Sequence, residues 1–171
     1  WVKLALSIPF IYKPGTHFVY NNVGPYLAGI LVQRRSGCDL VSYLTPRLFS
    51  HLGIKRPTWE TDPLGNSFGA GGLFLTLSEF HKFGELYLNN GKVNGKQILS
   101  EKWIKESTTK SDVDYYGYLF WRGKYNSYRA DGKYSQISMI LPEKNSVITV
   151  VSECRRGDEL MSVLYDMAAE L

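Results

Sequence analysis

The segment from Phe18 to Asn22 contains side chains that can move a proton and bind a carbonyl group. The phenol of Tyr20 has an ordinary pKa of about 10, so it is a weak base at neutral pH. A nearby cation lowers that pKa, and the phenolate can then accept a proton from a serine. The carboxamide of Asn22 can hold that cation or a substrate carbonyl. The same spacing also fits a simpler arrangement, in which an asparagine caps a helix and Tyr20 belongs to the core.

A turn and a helix must position this segment. Pro14 and Gly15 predict a turn before it. After it, the apolar spacing predicts a helix over 24–36, and either Asn21 or Asn22 can cap that helix. The free N–H groups at the start of a helix favour anions. The sequence therefore places the phenol and the carboxamides at the mouth of a helix.

The pattern around Tyr20 resembles a motif of a known enzyme family. It reads Pro-Gly-Thr-x-Phe-x-Tyr-x-Asn-x-Gly-x-x-Leu-Ala-Gly, which is similar to the second motif of the serine β-lactamase-like hydrolases. These include class C β-lactamases, DD-peptidases and related esterases. The resemblance implies that Tyr20 is the general base and proton shuttle, and that Asn22 orients the catalytic lysine and the substrate amide. It continues along nearly the whole chain, through Gly71-Gly72-Leu73, Thr76, Asp131-Gly132, Gln136 and Pro142.

The first motif of that family is Ser-x-x-Lys, and its serine is the nucleophile. No such motif precedes Tyr20, since Ser7 is followed by Ile-Pro-Phe. Ser107-Thr-Thr-Lys110 has the right letters, but it comes in the wrong order and at the predicted end of an exposed helix. We therefore expect the nucleophile and its lysine to be missing from this chain. The chain also opens inside a predicted helix at Trp1, so we interpret it as the C-terminal portion of one such domain.

The third motif of the family is Lys-Thr-Gly, or a form with His in place of Lys, and the matching place here is Ala130-Asp131-Gly132. The resemblance implies that these three residues contact the substrate and that Lys133 offers its backbone N–H to the oxyanion hole. The first position is an alanine where the family has a cation. Strand alternation points Arg129 and Lys133 away from the face of Ala130. Without the resemblance, Asp131-Gly132 would be interpreted as a turn.

Gly71 and Gly72 end a glycine-rich stretch that starts at Gly69. A phosphate-binding loop needs a following Lys-Ser/Thr, which is absent here. The resemblance implies instead that Gly71 and Gly72 line the substrate cleft. Close packing of the backbone is an equally good interpretation of these glycines.

Composition excludes several other classes of function. The 171 residues are 44% hydrophobic and carry a net charge of +4, which is too mild and too dispersed for nucleic acid. Cys38 and Cys154 form neither a disulfide framework nor a zinc pattern, and the three histidines have no metal spacing. No apolar run reaches the ~20 residues of a membrane span. We therefore expect no metal, no organic cofactor, no nucleic acid and no membrane span in this chain.

The remaining pattern predicts helices followed by an antiparallel sheet. Helices are expected over residues 1–7 and over 24–36, the second with Leu27, Ile30 and Leu31 on one apolar face. A helix capped by Asp39 is expected to kink or break at Pro46. Two further helices are expected, one from a Thr76–Glu79 capping box to about Asn90 and one from Ser100 to about Thr108. Residues 53–70 are expected to form a long loop. An Asn94-Gly95 hairpin, strands over 117–122, 126–131, 135–141 and 146–153, and a last helix capped by Asp158 complete the pattern. In that helix Leu160, Val163, Leu164, Met167 and Leu171 are expected to cover the sheet.

This order predicts an α+β fold, with a helical part over about 1–110 and a sheet with its terminal helix over about 115–171. The resemblance implies an incomplete β-lactamase/transpeptidase-like fold and acyl transfer through a serine ester. The substrate would be a small ester, an amide or peptide, or a β-lactam-like molecule. We expect the chain alone to be inactive and the missing N-terminal portion of the domain to be its partner. The alternative is a non-catalytic binding or regulatory member of the same fold. The sequence does not distinguish the bacterial cell envelope from the cytoplasm as the location of the protein.

Overall fold

The computed structural model describes residues 1–109, 111 and 113–171, and they form an α+β fold of two compact units, Trp1–Leu75 and Thr76–Leu171. The predicted order of helices, meander and final helix is confirmed. The second unit contains two helices that precede the main sheet in the chain as well as the sheet itself.

The first unit is mainly helical. Its elements are α1 (Val2–Ser7), α2 (Val23–Ser36), α3 (Leu40–Leu44), a π-helical turn (Thr45–Phe49), β1 (Thr58–Trp59) and β2 (Leu73–Phe74). The predicted ends hold for α1 and α2, and Gly37 closes α2 with a φ of 73°. As predicted, the α-helix does not continue through Pro46, because α3 ends at Leu44 and the backbone widens into the π-helical turn that contains the proline. The predicted loop over 53–70 contains β1, which pairs with β2.

Asp39 caps α3 as predicted. Its carboxylate accepts hydrogen bonds from the backbone N–H of Ser42 at 2.9 Å and from the Ser42 hydroxyl at 2.7 Å. These bonds from Ser42 hold the pKa of Asp39 below its ordinary value. The start of α3 is therefore fixed by a local signal that the sequence already contains.

The buried face of α2 differs from the prediction. Tyr26, Gly29, Ile30 and Gln33 are buried, whereas Leu31 is 62% exposed. The helix turns this face inward because Gln33 belongs to a polar network. Its Nε2 donates to the carbonyls of Gly29 and Ser67, both at 3.1 Å, and its Oε1 accepts from the backbone N–H of Ser67 at 2.8 Å. Apolar periodicity alone cannot predict a face that polar contacts fix.

A second buried contact joins α2 to the turn that follows β1. The hydroxyl of Tyr26 donates to Asp62 Oδ2 at 2.7 Å, and Asp62 also accepts from the side chain and backbone of Asn66 and from the backbone of Leu64. Burial alone would raise the pKa of Asp62. The hydrogen bonds from Asn66, Tyr26 and Leu64 outweigh it and lower that pKa to about 2. Burial, reinforced by Asp62, raises the pKa of Tyr26 to about 12.

The Asp62 contacts predict a measurable acid dependence of stability. The folded-state pKa of about 2 lies below the ordinary value of 3.8. The stabilising effect is therefore complete above about pH 4 and is lost as the pH falls toward about 2. We expect Asp62→Asn to lower the free energy of unfolding at neutral pH by roughly 1–3 kcal/mol and to flatten its decline in that acid window. Urea unfolding at several pH values measures both effects.

Tyr26→Phe is the matched control for that experiment, because it removes one donor to Asp62 and keeps the ring that packs against Trp1 and Phe68. A smaller loss with a partial change in acid dependence is expected. If Asp62→Asn and the unaltered protein decline equally between about pH 4 and pH 2, Asp62 does not carry the acid dependence.

The second unit contains a sheet between helices. Its elements are α4 (Leu77–Leu88), β3 (Lys92–Val93), β4 (Lys96–Gln97), α5 (Glu101–Thr108), β5 (Trp121–Arg122), β6 (Tyr128–Gly132), β7 (Gln136–Leu141), β8 (Ser146–Val150) and α6 (Gly157–Glu170). The capping box of Thr76 with Glu79, the Ser100 cap and the β3–β4 hairpin at Asn94-Gly95 are all confirmed. The strand predicted over 117–122 pairs only as β5, because Gly117–Phe120 forms a tight turn.

The main sheet has the order β5-β6-β7-β8, and all neighbours are antiparallel. Alternate residues of β7 belong to two different cores. Ile140 packs with Tyr87 of α4, Ile104 of α5, Phe120 and Tyr128. Ile137, Met139 and Leu141 pack with Leu164 and Ala168 of α6. The central strand is therefore covered by helices on both faces, which explains its nearly continuous apolar sequence.

Gly84 lets α4 lie close to the sheet. A Cβ at this position would overlap the Oγ of Ser138 on β7 and lie 2.7 Å from Val147 Cγ1 on β8. Any side chain here would push the helix away from the strands. The glycine in the middle of α4 is therefore explained by packing.

The predictions for α6 need two corrections. The helix begins at Gly157, so Asp158 lies in its first turn, and no side chain caps it. The buried residues are Leu164 and Ala168, whereas Val163, Met167 and Leu171 are each at least half exposed. The small Ala168 side chain allows close contact with the sheet, so the contact face follows 164 and 168 and leaves 163 and 167 at its border.

Candidate active site

Tyr20 and Asn22 lie in an irregular segment that leads into α2. Tyr20 is 55% exposed, so it is not a core residue of the first unit, which was the simpler interpretation of the sequence. The cap is made by Asn21, whose Oδ1 accepts from the backbone N–H of Gly24 at 3.0 Å. The carboxamide of Asn22 is exposed and hydrogen-bonds to no group in the described part of the chain. Asn21 therefore has a structural role that leaves Asn22 available to another group.

Gly71 and Gly72 form a turn that packs against β1. Trp59 Nε1 donates to the carbonyl of Gly71 at 2.7 Å, and the backbone N–H of Glu60 donates to the carbonyl of Gly72 at 2.9 Å. Gly72 has a φ of 75°, and a Cβ there would lie 2.6 Å from Glu60 Cβ. Only glycine fits this position. Close backbone packing thus accounts for Gly72, and a substrate contact of either glycine stays a prediction.

The other predicted site residues follow one another at the end of β6. Ala130 pairs with Ser138 of β7 and packs against the core formed by Tyr87, Ile104, Phe120, Tyr128 and Ile140. On the opposite side of the strand, Arg129 Nε donates to Asp131 Oδ2 at 2.9 Å. The pairing of β6 with β7 is regular from Tyr128 to Gly132 and contains no bulge that would turn Arg129 to the face of Ala130. The strand itself therefore presents no cation where the family motif has one.

The loop after β6 is held by its carbonyl groups. Gln136 Nε2 donates to the carbonyls of Lys133, at 3.3 Å, and Tyr134, at 3.4 Å, and also to that of Ser152. The Ser152 hydroxyl donates to the backbone carbonyl of Tyr134 at 2.9 Å and to that of Ser135 at 3.1 Å. Tyr134 and Ser135 have φ values of 61° and 65°, so the hairpin is tight. These contacts fix the loop to the chain segment after β8.

Within the described residues, no group accepts a hydrogen bond from the backbone N–H of Lys133. Lys133 is exposed, and its own carbonyl is bound by Gln136. An N–H donor on a braced loop, with no internal acceptor, can bind an external oxygen. The resemblance drew attention to Gln136 and Lys133. Ser152 was missed, because a serine just beyond a strand gives no sign that its hydroxyl will reach across to another loop.

Ser107 is unsuitable as a nucleophile in this structure. It is buried, and its Oγ donates to the carbonyl of Ile104 at 3.2 Å. The expectation of an exposed helix end is wrong here, because Ile104, Ser107 and Thr108 form the buried face of α5. Lys110, the lysine of this Ser-x-x-Lys match, lies outside the described residues.

The described residues include no group of three or more His, Cys, Asp or Glu side chains arranged to hold a metal ion. In the same part of the chain, no helix is long and apolar enough to cross a membrane.

A helical unit followed by an antiparallel sheet between helices, together with the motifs around Tyr20 and Gly132, defines the class of the β-lactamase-like serine hydrolases. The sequence profile of the β-lactamase family matches residues 1–170. This chain belongs to the β-lactamase family.

Solved structures show the same fold. A protein from Bacillus anthracis described as a candidate 6-aminohexanoate-dimer hydrolase is 24% identical, with a TM-score of 0.86 over 97% of this chain and 46% of its own. A candidate β-lactamase from Bacteroides dorei is 17% identical, with a TM-score of 0.72 over 96% of this chain and 63% of its own. A penicillin-binding protein homologue from Caulobacter crescentus is 14% identical, with a TM-score of 0.67 over 96% of this chain and 64% of its own.

The chain thus spans between about half and two thirds of the length of these structures. No curated protein matches it.

Proposed function

We propose that this chain is the C-terminal portion of a serine hydrolase domain that forms an acyl-enzyme on esters, amides or β-lactam-like substrates. The nucleophilic serine and its lysine are supplied from outside the 171 residues. Tyr20 acts as general base and proton shuttle, and Asn22 orients the lysine and the substrate amide. Lys133 donates its backbone N–H to the oxyanion, and Ala130, Asp131, Gly132, Gly71 and Gly72 contact the substrate.

The observation that supports this proposal most is the backbone N–H of Lys133. This N–H has no acceptor among the described residues. It belongs to a loop whose backbone carbonyls accept hydrogen bonds from Gln136 and Ser152. A donor of this kind needs no reorganisation when negative charge develops on a substrate oxygen, and it is worth roughly 3 kcal/mol in a transition state. The available carboxamide of Asn22 supports the same reaction independently.

The alternative function is a non-catalytic binding or regulatory protein that keeps the cleft and has lost turnover. The buried position of Ser107 favours neither function, because it excludes only this serine as the nucleophile. The two functions differ in one chemical property, which is whether a serine becomes acylated.

The experiment compares the 171-residue chain with a full-length protein that contains it. Both are treated with p-nitrophenyl butyrate and with a fluorophosphonate, and covalent labelling is measured by intact mass. We expect labelling and turnover in the full-length protein, and neither in the chain alone, because its only Ser-x-x-Lys serine is buried. Ser107→Ala in the full-length protein is the control and should leave turnover unchanged.

Turnover by the chain alone that disappears in Ser107→Ala would contradict the assignment of an external nucleophile. Ligand binding by the full-length protein without any acylated serine would favour the non-catalytic alternative.

A further inference from the structure

Two Asn-Gly pairs lie close together in the second unit, in different surroundings. Asn90-Gly91 follows α4, and Asn94-Gly95 forms the tip of the β3–β4 hairpin. In such a pair the backbone nitrogen of the glycine can attack the side-chain carbonyl carbon of the asparagine, because glycine has no side chain to obstruct the approach. The two pairs have the same chemistry, so a difference in their reactivity has to come from the fold.

The Asn94-Gly95 pair is open to solvent. Both residues are exposed, and their φ values of 48° and 79° are typical of a two-residue hairpin turn. Among the described residues, nothing hydrogen-bonds to the Asn94 carboxamide or to the peptide group that joins it to Gly95. A Cβ placed on Gly95 would meet no atom within 4 Å. This peptide group can therefore rotate without breaking a hydrogen bond of its own and without a clash.

The Asn90-Gly91 pair is held in place. Gly91 is buried, and its backbone N–H donates to the carbonyl of Leu86 at 2.8 Å. Its carbonyl accepts from the backbone N–H groups of Ile98 at 2.8 Å and Leu99 at 3.1 Å. A Cβ on Gly91 would overlap the carbonyl oxygen of Leu99. The Gly91 nitrogen can therefore attack Asn90 only after its own hydrogen bond is broken and the surrounding backbone has moved.

We propose that Asn94 is a site of spontaneous deamidation and isomerisation in the folded protein, and that the fold protects Asn90. The backbone nitrogen of Gly95 bonds to Cγ of Asn94, the Cγ–Nδ2 bond breaks, and ammonia leaves with the proton of the Gly95 N–H. The product is a cyclic imide. Water then opens the ring at Cγ, which gives aspartate, or at the main-chain carbonyl, which gives an isoaspartyl linkage. Water is the only co-reactant.

The isoaspartyl product alters the hairpin more than aspartate does. It adds a methylene group to the backbone of a turn whose two residues fix the pairing of Val93 with Lys96. Because the turn is exposed, the new carboxylate is accessible to the carboxyl methyltransferases that act on isoaspartyl linkages. This inference does not depend on the proposed hydrolase function, since no catalytic group takes part.

The test incubates the full-length protein in mildly alkaline buffer and compares the two sites after digestion. Trypsin puts the two pairs in separate peptides, 83–92 and 93–96. Mass spectrometry follows the replacement of the amide by an acid in each peptide, and an isoaspartyl methyltransferase with a labelled methyl donor measures the isomer. We expect Asn94 to react at least roughly tenfold faster than Asn90, as the hydrogen bond and packing of the second pair imply.

Incubation in guanidinium chloride is the matched control, because unfolding removes the difference in surroundings. The two rates should become nearly equal there, and Asn94→Gln should remove the faster reaction of the folded protein. Equal rates in the folded protein would contradict the proposal, and so would the same ratio of rates in denaturant. Reaction of both pairs in denaturant and of neither in buffer would mean that the hairpin protects Asn94, which also overturns it.

Discussion

Tyr20→Phe in the full-length protein is expected to lower kcat by roughly 10²–10⁴-fold, which is the usual contribution of general acid–base catalysis. The substitution removes one hydroxyl and keeps the ring, so the fold should be unaffected. Tyr20 is 55% exposed, and an unfolding curve separates any contribution of its hydroxyl to stability from its contribution to catalysis. The measurement is kcat for p-nitrophenyl butyrate together with a thermal unfolding curve. An unchanged kcat would show that Tyr20 is not the base.

The neighbouring asparagines provide a matched pair of controls. Asn21 caps α2 through Gly24, so Asn21→Ala should cost ~1 kcal/mol of stability. Asn22 has no hydrogen bond to any described residue, so Asn22→Ala should lower activity and leave stability nearly unchanged. The opposite pattern, with Asn22 important for stability only, would remove Asn22 from the proposed site.

Ala130→Lys is expected to raise kcat/KM for a cephalosporin by about ten- to a hundredfold, as a new charge-assisted hydrogen bond implies. The unaltered full-length protein should be a poor β-lactamase, since its strand lacks the cation that receives a carboxylate close to the reacting bond. A neutral ester such as p-nitrophenyl acetate needs no such contact and should change little. The comparison of the two substrates with both proteins is the measurement.

Stability has to be measured beside activity in this experiment, because Ala130 packs against an apolar core. A lysine can keep its stem on that surface and extend its ammonium group to solvent. Ala130→Met is the control, since it has a similar length without the charge. Efficient cephalosporin hydrolysis by the unaltered protein, with no gain from the lysine, would show that Ala130 does not occupy the cation position of the third motif.

Helix caps and tight turns, which depend on residues close together in the chain, could be predicted from the sequence. The capping box of Thr76 and Glu79, the Ser100 cap and the Asn94-Gly95 hairpin depend only on residues near one another in the chain, and all three are present. The resemblance added the family and the fold, which the profile match and the solved structures support.

Features that depend on distant partners could not be predicted. Gln33 is buried because Ser67 meets it, 34 residues further on. The buried face of α6 follows Ala168, whose small size matters only once the sheet is beside it. For the candidate site, residue types around Tyr20 and Gly132 were visible in the sequence. Which asparagine caps α2, and how Ser152 braces the loop, is visible only in the folded structure.

Strand β8, one of the two edge strands of the main sheet, has a practical consequence for any work on the isolated chain. It pairs with β7 on one side, and no other strand of the described residues pairs with it. Its sequence, Ser-Val-Ile-Thr-Val, contains no charge and no proline, which are the features that usually discourage edge-to-edge aggregation. We therefore expect concentrated samples of the 171-residue chain to associate by intermolecular strand pairing, and light scattering should accompany every activity assay on them.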